Sequence, residues 1–480
     1  MHDQLHRLPQ GGRIDRENIC TFRFDGREYT GFFGDTLASA LLANGVRCVG
    51  RSFKYHRARG IFSNGPEEPN ALVELRQGSR REPNTRATTT ELYDGLVATS
   101  QNRWPSLAFD VMGINQLLAP MLVAGFYYKT FKWPAHFWER LYEPIIRRAA
   151  GLGRGSTLPD PDTYDHAWAH GDVLIVGAGP AGLAAALAAG QAGARVILCD
   201  ENPVPGGQLL NEPDVINDAP ADLWVEKTIA ELRAMPNIRI LTRANVFGIY
   251  DGVYGVLQKA QDHVVQPAKY QPRQIVWHVV AKRVIVCAGA IERPIVFGDN
   301  DRPGIMLAAA MRSYMHRFAV MPGGNIAVYL NNLDGWRTVQ QAQPHAKSVI
   351  AIVADDNIVS DARLKWAKNH GVQVHFGGIA AIEGGKAGVN AISLRGLDGT
   401  ITDIACDGLG LAGGWNPQVG LTCNHRGKPV WDEELLAFLP AGCPPGVTVA
   451  GAANGQFALT DCLQGGHAQG LQAARDCGFA

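Results

Sequence analysis

The sequence predicts an α/β fold of two sheet-and-helix units, preceded by a small α+β domain. Three observations carry that reading. From residue 171 onward short apolar strands alternate with helical segments, the pattern of parallel sheets covered by helices. The first of those strands, "DVLIVG", runs straight into Gly177, Gly179 and Gly182 and then a helix of small residues. Before residue 95 the alternation is missing, and the chain reads as a hairpin, one helix and further short strands.

At 480 residues the chain exceeds what one hydrophobic core supports, roughly 250–300 residues. Lys plus Arg and Asp plus Glu each total 45, so with neutral His the net charge is zero. That balance offers no broad field for nucleic acid or an anionic membrane, and neither is expected as a partner. The opening "MHDQLHRLPQGGRIDREN" lacks the apolar run of a secretory signal, which predicts a cytoplasmic protein. Nine cysteines lie far apart with no C-x-x-C, the pattern of reduced, buried thiols. The window "VMGINQLLAPMLVAGFYY" is broken by Asn115, Gln116 and Pro120, so it reads as core or subunit interface, not a membrane span.

Taken in order, residues 1–95 form the small α+β domain. "CTFRFDGREYTGFFG" is a hairpin turning at Asp25-Gly26, "DTLASALLANG" a helix capped by Asp35 and stopped by Gly45, and "ALVELRQG" a strand. Residues 96–170 are an aromatic-rich helical arm ending in the linker "GLGRGSTLPDPD". An arm so dense in Trp, Tyr and Phe packs either on its own neighbours or on a second subunit. Residues 171–300, completed by 430–480, form a dinucleotide-binding unit with strands "DVLIVG", "RVILCD", "RVIVCAGA" and "GVTVAGAANG". Residues 301–429 form a second Rossmann-like unit with strands "GGNIAVYL", "SVIAIVADD" and "GVQVHFGG".

The motif G-x-G-x-x-G at Gly177, Gly179 and Gly182 has a physical reason at each position: a tight turn, backbone approach to a pyrophosphate, and close helix-to-strand packing. The helix that Pro180 opens presents N–H groups and about half a positive charge to the phosphates. Asp200 ends the next strand, where a carboxylate accepts ribose hydroxyls and repels a 2′-phosphate, so NADP is disfavoured. On the residues alone two occupants stay open, NAD or FAD. His316, His425 and His467 have no companions at metal-ligand spacing, so no metal site is expected, and no catalytic residue is assigned to this chain.

The order of these parts resembles the two-dinucleotide-binding-domain fold of the thioredoxin reductase (FAD-NAD(P)-like) type. In such proteins a Gly-Gly pair, here Gly206-Gly207 followed by Gln208, lies near the cofactor phosphates, and "VIVCAGAIERP" is the passage between units. Two departures matter. After "IAVYL" the second unit carries "NNLDGW", without the bare turn a pyrophosphate needs, so no nicotinamide nucleotide is expected there. In the last strand Ala452 follows Gly451 where flavoproteins of this fold keep an Asp for the flavin ribitol. The first domain resembles a [2Fe–2S] ferredoxin, but Ser63, Glu68 and Ala71 stand at three cluster-cysteine positions, so no iron–sulfur cluster is expected.

Across nearly its whole length the chain is similar to the alpha subunits of bacterial heterotetrameric sarcosine oxidases. The resemblance rests on "GDTLASALLANGVRCVGRSFKYHRARGI", "NGPEEPNALVEL", "ELYDGLVATSQNRWPSLAFD", "AGFYYKTFKWPAHFW", "GAGPAGLAAALAA" and "ERPIVFGDNDRPGIM". It implies an alpha-type subunit holding NAD at the glycine motif, beside a beta-type flavoprotein partner and small gamma and delta subunits. FAD on the partner and FMN near the boundary would oxidise sarcosine to glycine, formaldehyde and hydrogen peroxide. The implied cofactor contacts are Gly177, Gly179, Pro180, Gly182, Asp200 with Glu201, Gly207, Gln208, Gly451, and backbone near Val246 and Gly289. The alternative is an FAD-binding subunit of a related amine or opine dehydrogenase that transfers electrons itself. Family alpha subunits continue into a folate-binding domain resembling the glycine-cleavage T protein, which this sequence, ending at Ala480, is expected to lack.

Overall fold

The computed structural model describes residues 4–120, 125, 133–385, 387–424 and 426–479. The aromatic stretch around "AGFYYKTFK", except Gly125, and His425 therefore lie outside the described residues. The chain forms two compact units, one of Met1–Pro161 with Pro294–Gly413, the other of Asp162–Arg293 with Gly414–Ala480.

In the first unit the hairpin is present as strands Asp15–Phe24 and Arg27–Phe33. Asp25 and Gly26 both take positive φ, 48° and 78°, as a tight two-residue hairpin turn requires. These strands join Leu96–Ser100, Leu72–Leu75 and Glu82–Arg86 in one five-stranded sheet. The helix Leu37–Ala43 is capped by Thr36, not by the expected Asp35. Thr36 and Ser39 make a reciprocal capping box. Asp35 is drawn away because Arg7 grips both its oxygens at 3.1 and 2.6 Å, and the Ser39 hydroxyl donates to it at 2.6 Å.

The same unit holds a seven-stranded sheet. Ile305–Leu307, Gly408–Ala412, Asn325–Leu330, Ser348–Val353 and Gln373–Gly385 run parallel, and Gly388–Gly396 and Ile401–Ala405 add an antiparallel edge. Phe22, Leu41 and Ile61 from the first domain share one core with Met311, Tyr314 and Trp336. Each buried side chain of this size contributes about 1.5–3 kcal/mol, so the small domain is welded to the helix Ala308–Phe318. Of the expected helical arm 96–170, Leu96–Ser100 and Tyr164–His170 are sheet strands, and the rest that is described includes the 3₁₀ helices Val111–Leu118 and Ala135–Phe137, a π-helix at Trp138–Tyr142 and the helix Glu143–Ala149.

The second unit is a parallel sheet in the order Ile238–Leu241, Val196–Cys199, Val173–Val176, Arg283–Val286, Val447–Val449. Its central strands are buried along their length, which is why they read as continuous apolar runs. Helices Pro180–Gln191, Ala221–Ala234 and Leu459–Asp476 pack with this sheet. Ala244–Tyr250, Val253–Gln258, Gln274–Val280 and Tyr164–His170 form a second, four-stranded sheet.

Candidate dinucleotide site

The strand Val173–Val176 ends in Gly177, whose φ of 98° no β-carbon-bearing residue adopts readily. A β-carbon there would also overlap the carbonyl of Cys287, and one on Gly182 would overlap the carbonyl of Gly177. These two glycines therefore serve packing of strand, turn and helix. Gly179 differs: the nearest atom to a β-carbon built on it is Cα of Gly207, 4.0 Å away, so its face is open. Gly179 caps the helix without a side-chain bond, and Pro180 has no N–H, so the first turn offers an anion the amides of Ala181 and Gly182.

Gly207 lies against this turn, where its β-carbon would come 2.8 Å from Cα of Gly179, and Gly206 donates its N–H to the Ala178 carbonyl at 2.8 Å. A β-carbon on Gly451 would stand 2.7 Å from that of Ala181, which brings the end of the last strand to the same helix start. Ala288 Cα would lie 3.5 Å from a β-carbon on Gly177, and the following Gly289 faces open space. The structure thus brings Gly177, Gly179, Pro180, Gly182, Gly207, Gly289 and Gly451 around one turn.

Asp200 is 6% exposed, and its carboxylate points into the turn. Oδ2 accepts from the Ala178 N–H at 2.6 Å and Oδ1 from the Asn202 N–H at 2.8 Å. Glu201 is exposed and accepts from the Asn245 side chain at 3.3 Å. Val246 is half-buried in the ladder opposite Val256, on a strand whose Ala244 N–H donates to the Asp200 carbonyl at 2.7 Å. The Gln208 amide donates to buried Glu212 at 3.2 Å and accepts from Asn211 at 3.2 Å, so it braces the Gly-Gly loop.

The sequence reads a strand and a helix at the end of the chain, and the structure adds how closely that helix packs on the motif helix. In the helix Leu459–Asp476, β-carbons on Gly466 and Gly470 would overlap the carbonyls of Ala181 and Ala185 on the motif helix. The signal was available in small residues at 466, 470 and 474, a four-residue repeat that lets two helix backbones approach.

Thiol chemistry is not built into this site. All nine cysteines are free, and burial pushes the thiols of Cys199 and Cys287, the nearest in sequence to the turn, up to about 12. In the other unit, "NNLDGW" takes the place of a glycine turn. Asn332 donates to the Ala412 carbonyl at 2.9 Å and accepts from the Asp334 N–H at 3.0 Å. Fully buried Arg312 holds Asp334 at 2.8 Å and Thr338 at 2.7 Å. Side chains thus fill that helix start.

Residues 171–452 match the family model described as pyridine nucleotide-disulphide oxidoreductase. The chain belongs to that family. Residues 17–103 match a second model, the 2Fe-2S iron-sulfur cluster binding domain. Among curated relatives, sarcosine oxidase subunit alpha of Rhizobium meliloti (strain 1021) is 50% identical over 480 residues, covering 99% of this chain and 48% of that protein. Sarcosine oxidase subunit alpha of Corynebacterium sp. (strain U-96) is 37% identical over 482 residues, covering 98% of this chain and 45% of that protein. The chain spans about half the length of the curated relatives it matches. Among solved structures, L-proline dehydrogenase from P. horikoshii aligns with a TM-score of 0.66 at 18% identity, covering 100% of this chain and 77% of that one, a likeness of fold. Among the described residues no helix is long and apolar enough to cross a membrane.

Proposed function

We propose that this chain is the NAD-holding, alpha-type subunit of a sarcosine oxidase complex and that it carries no catalytic residue of its own. The likeness to two sarcosine oxidase alpha subunits along almost the whole chain supports the assignment to such a complex. The observation that carries the binding role is the open face of Gly179, set between Gly207 and a helix start with no side-chain cap. Asp200 and Glu201 would receive the ribose, Gly177 and Gly182 hold the turn, and Gly289, Gly451 and the Val246 backbone complete the cradle. Ala452, in place of the ribitol-binding Asp, favours NAD over FAD.

The beta-type partner would hold a flavin that supplies the two-electron oxidation of the sarcosine C–N bond; water and dioxygen are the co-substrates, and the products are glycine, formaldehyde and hydrogen peroxide. FMN would lie near the boundary between subunits, with small gamma and delta subunits completing the assembly in the cytoplasm. This chain's residues bind and orient; they move no proton or hydride. Its arm supplies the partner surface: Trp104, Phe109, Ile114, Leu117 and Trp133 are 62%, 63%, 62%, 79% and 85% exposed, more apolar surface in one segment than scattered single residues leave.

The deciding experiment is to purify the chain, denature it and identify the released small molecule by absorbance and mass spectrometry. NAD in near-stoichiometric amount from a colourless protein, with no sarcosine oxidation by the chain alone, supports the proposal. FAD from a yellow protein overturns it and makes the chain an electron-transferring flavoprotein subunit.

A further inference from the structure

The matched 2Fe-2S domain model raises the question of what holds the cluster loop of this chain. Such clusters are held by four thiolates. Within residues 17–103 the only cysteines are Cys20 and Cys48, and burial pushes the Cys20 thiol up to about 12. These residues do not fit a cluster.

The loop is nevertheless fully organised, and a side chain organises it. Glu68 is 1% exposed and Ser63 is fully buried. Oε2 of Glu68 accepts from the N–H groups of Phe62 at 2.8 Å and Ser63 at 2.7 Å, with the Ser63 hydroxyl at 3.4 Å. Oε1 accepts from the N–H groups of Asn70 at 2.7 Å and Ala71 at 3.0 Å. The partners are amides and a hydroxyl, donors only in this geometry, which an ionised carboxylate satisfies completely. Burial pushes the Glu68 carboxyl up, and the four amides oppose that rise. Outside the nest the loop is tied to the Ala308–Phe318 helix: the Tyr314 hydroxyl donates to the Ser63 carbonyl at 2.8 Å, and the Asn64 amide to the Ser313 hydroxyl at 2.8 Å.

We propose that Glu68 is the resident anion of this loop, a built-in carboxylate seated in the amide nest in place of an iron–sulfur cluster. Ser63, Glu68 and Ala71 stand where the ferredoxin resemblance places cluster cysteines, and the amides of 63 and 71 are among those that converge on the side chain of 68. The loop folds around its own side chain and needs no metal, and Glu68 positions the contact between the small domain and the helix Ala308–Phe318. It is a positioning residue, independent of what the glycine motif binds.

The test uses the full chain, with thermal unfolding of wild type, Glu68→Gln and Glu68→Ala. Glu68→Gln turns an N–H₂ toward amide donors and is expected to lower Tm by about 3–6 °C. Glu68→Ala is expected to lower it further and leave a nest open to small carboxylates. Formate, against chloride at equal ionic strength, should restore at least about half of that loss and leave wild type unmoved. Wild-type protein should contain no stoichiometric iron or acid-labile sulfide. If Glu68→Ala gives no soluble protein, Glu68→Gln decides alone. A Glu68→Gln Tm equal to wild type, an equal formate effect on wild type and Glu68→Ala, or stoichiometric iron with sulfide in wild type overturns the proposal.

Discussion

The Asp200 carboxylate accepts a hydrogen bond from the Ala178 N–H at 2.6 Å, across the glycine turn. One side chain thus fixes the turn and, in the proposed function, would receive the ribose. Asp200→Asn keeps an oxygen for Ala178 but turns an N–H₂ toward the Asn202 N–H and loses the charge, so Tm should fall slightly while retained nucleotide falls about tenfold. Asp200→Ala strands the Ala178 N–H and should lower both further. Nucleotide content after denaturation, read beside Tm, separates the two variants.

Gly179 and Gly182 should part in the same assay. A methyl on Gly179 meets nothing nearer than 4.0 Å, so Gly179→Ala, compared with wild type after nucleotide removal, folds with an unchanged Tm yet intrudes where a pyrophosphate would approach, and binding should fall by about tenfold or more. A methyl on Gly182 overlaps the Gly177 carbonyl, so Gly182→Ala should cost about 2–4 kcal/mol as well as the ligand. Equal Tm values for the two variants would contradict the division of labour between these glycines.

Asp172 predicts an acid-sensitive term in stability. The side-chain hydrogen bond from Arg195, with help from Lys282, holds its carboxyl well below the ordinary value of 3.8. Because the folded value lies below the unfolded one, the stabilisation is fully present above about pH 4 and is lost as pH falls through the folded value. Arg195 and Lys282 are 60% and 59% exposed, so Asp172→Asn should cost only about 1 kcal/mol at neutral pH. Urea midpoints measured from about pH 6 to about pH 3 should show the variant's deficit shrinking toward the acid end.

Trp133, 85% exposed, tests the role of the arm. With a beta-type partner co-expressed, Trp133→Ser should reduce the co-purified partner about tenfold, as loss of a buried aromatic anchor does. The Tm of the chain alone should not change. A lower Tm with undiminished partner would make Trp133 a residue of the chain's own packing.

Much of the candidate site was legible because its signals are local. Gly177, Gly179, Gly182 and Asp200 fall within one strand-turn-helix-strand stretch, and the order of apolar strands follows from burial on both faces. The clasp of Gly466 and Gly470 on the motif helix escaped notice because their partners, Ala181 and Ala185, lie far away in the chain. Asp35 misled for the same reason: at a helix start it reads as a cap, until Arg7 claims both its oxygens and leaves the cap to Thr36.

By itself the sequence determined the α/β alternation, the glycine turn with its acid, and the missing thiolates at 63, 68 and 71, all properties of spacing along the chain. Tertiary structure decided what those residues do. It turned the Asp200 carboxylate onto the Ala178 amide, buried the small domain's core against Met311 and Tyr314, and gathered amides from both ends of a loop onto Glu68. Spacing records which groups are available; only the folded chain sets which buried polar groups meet, because each must find a partner once water is excluded.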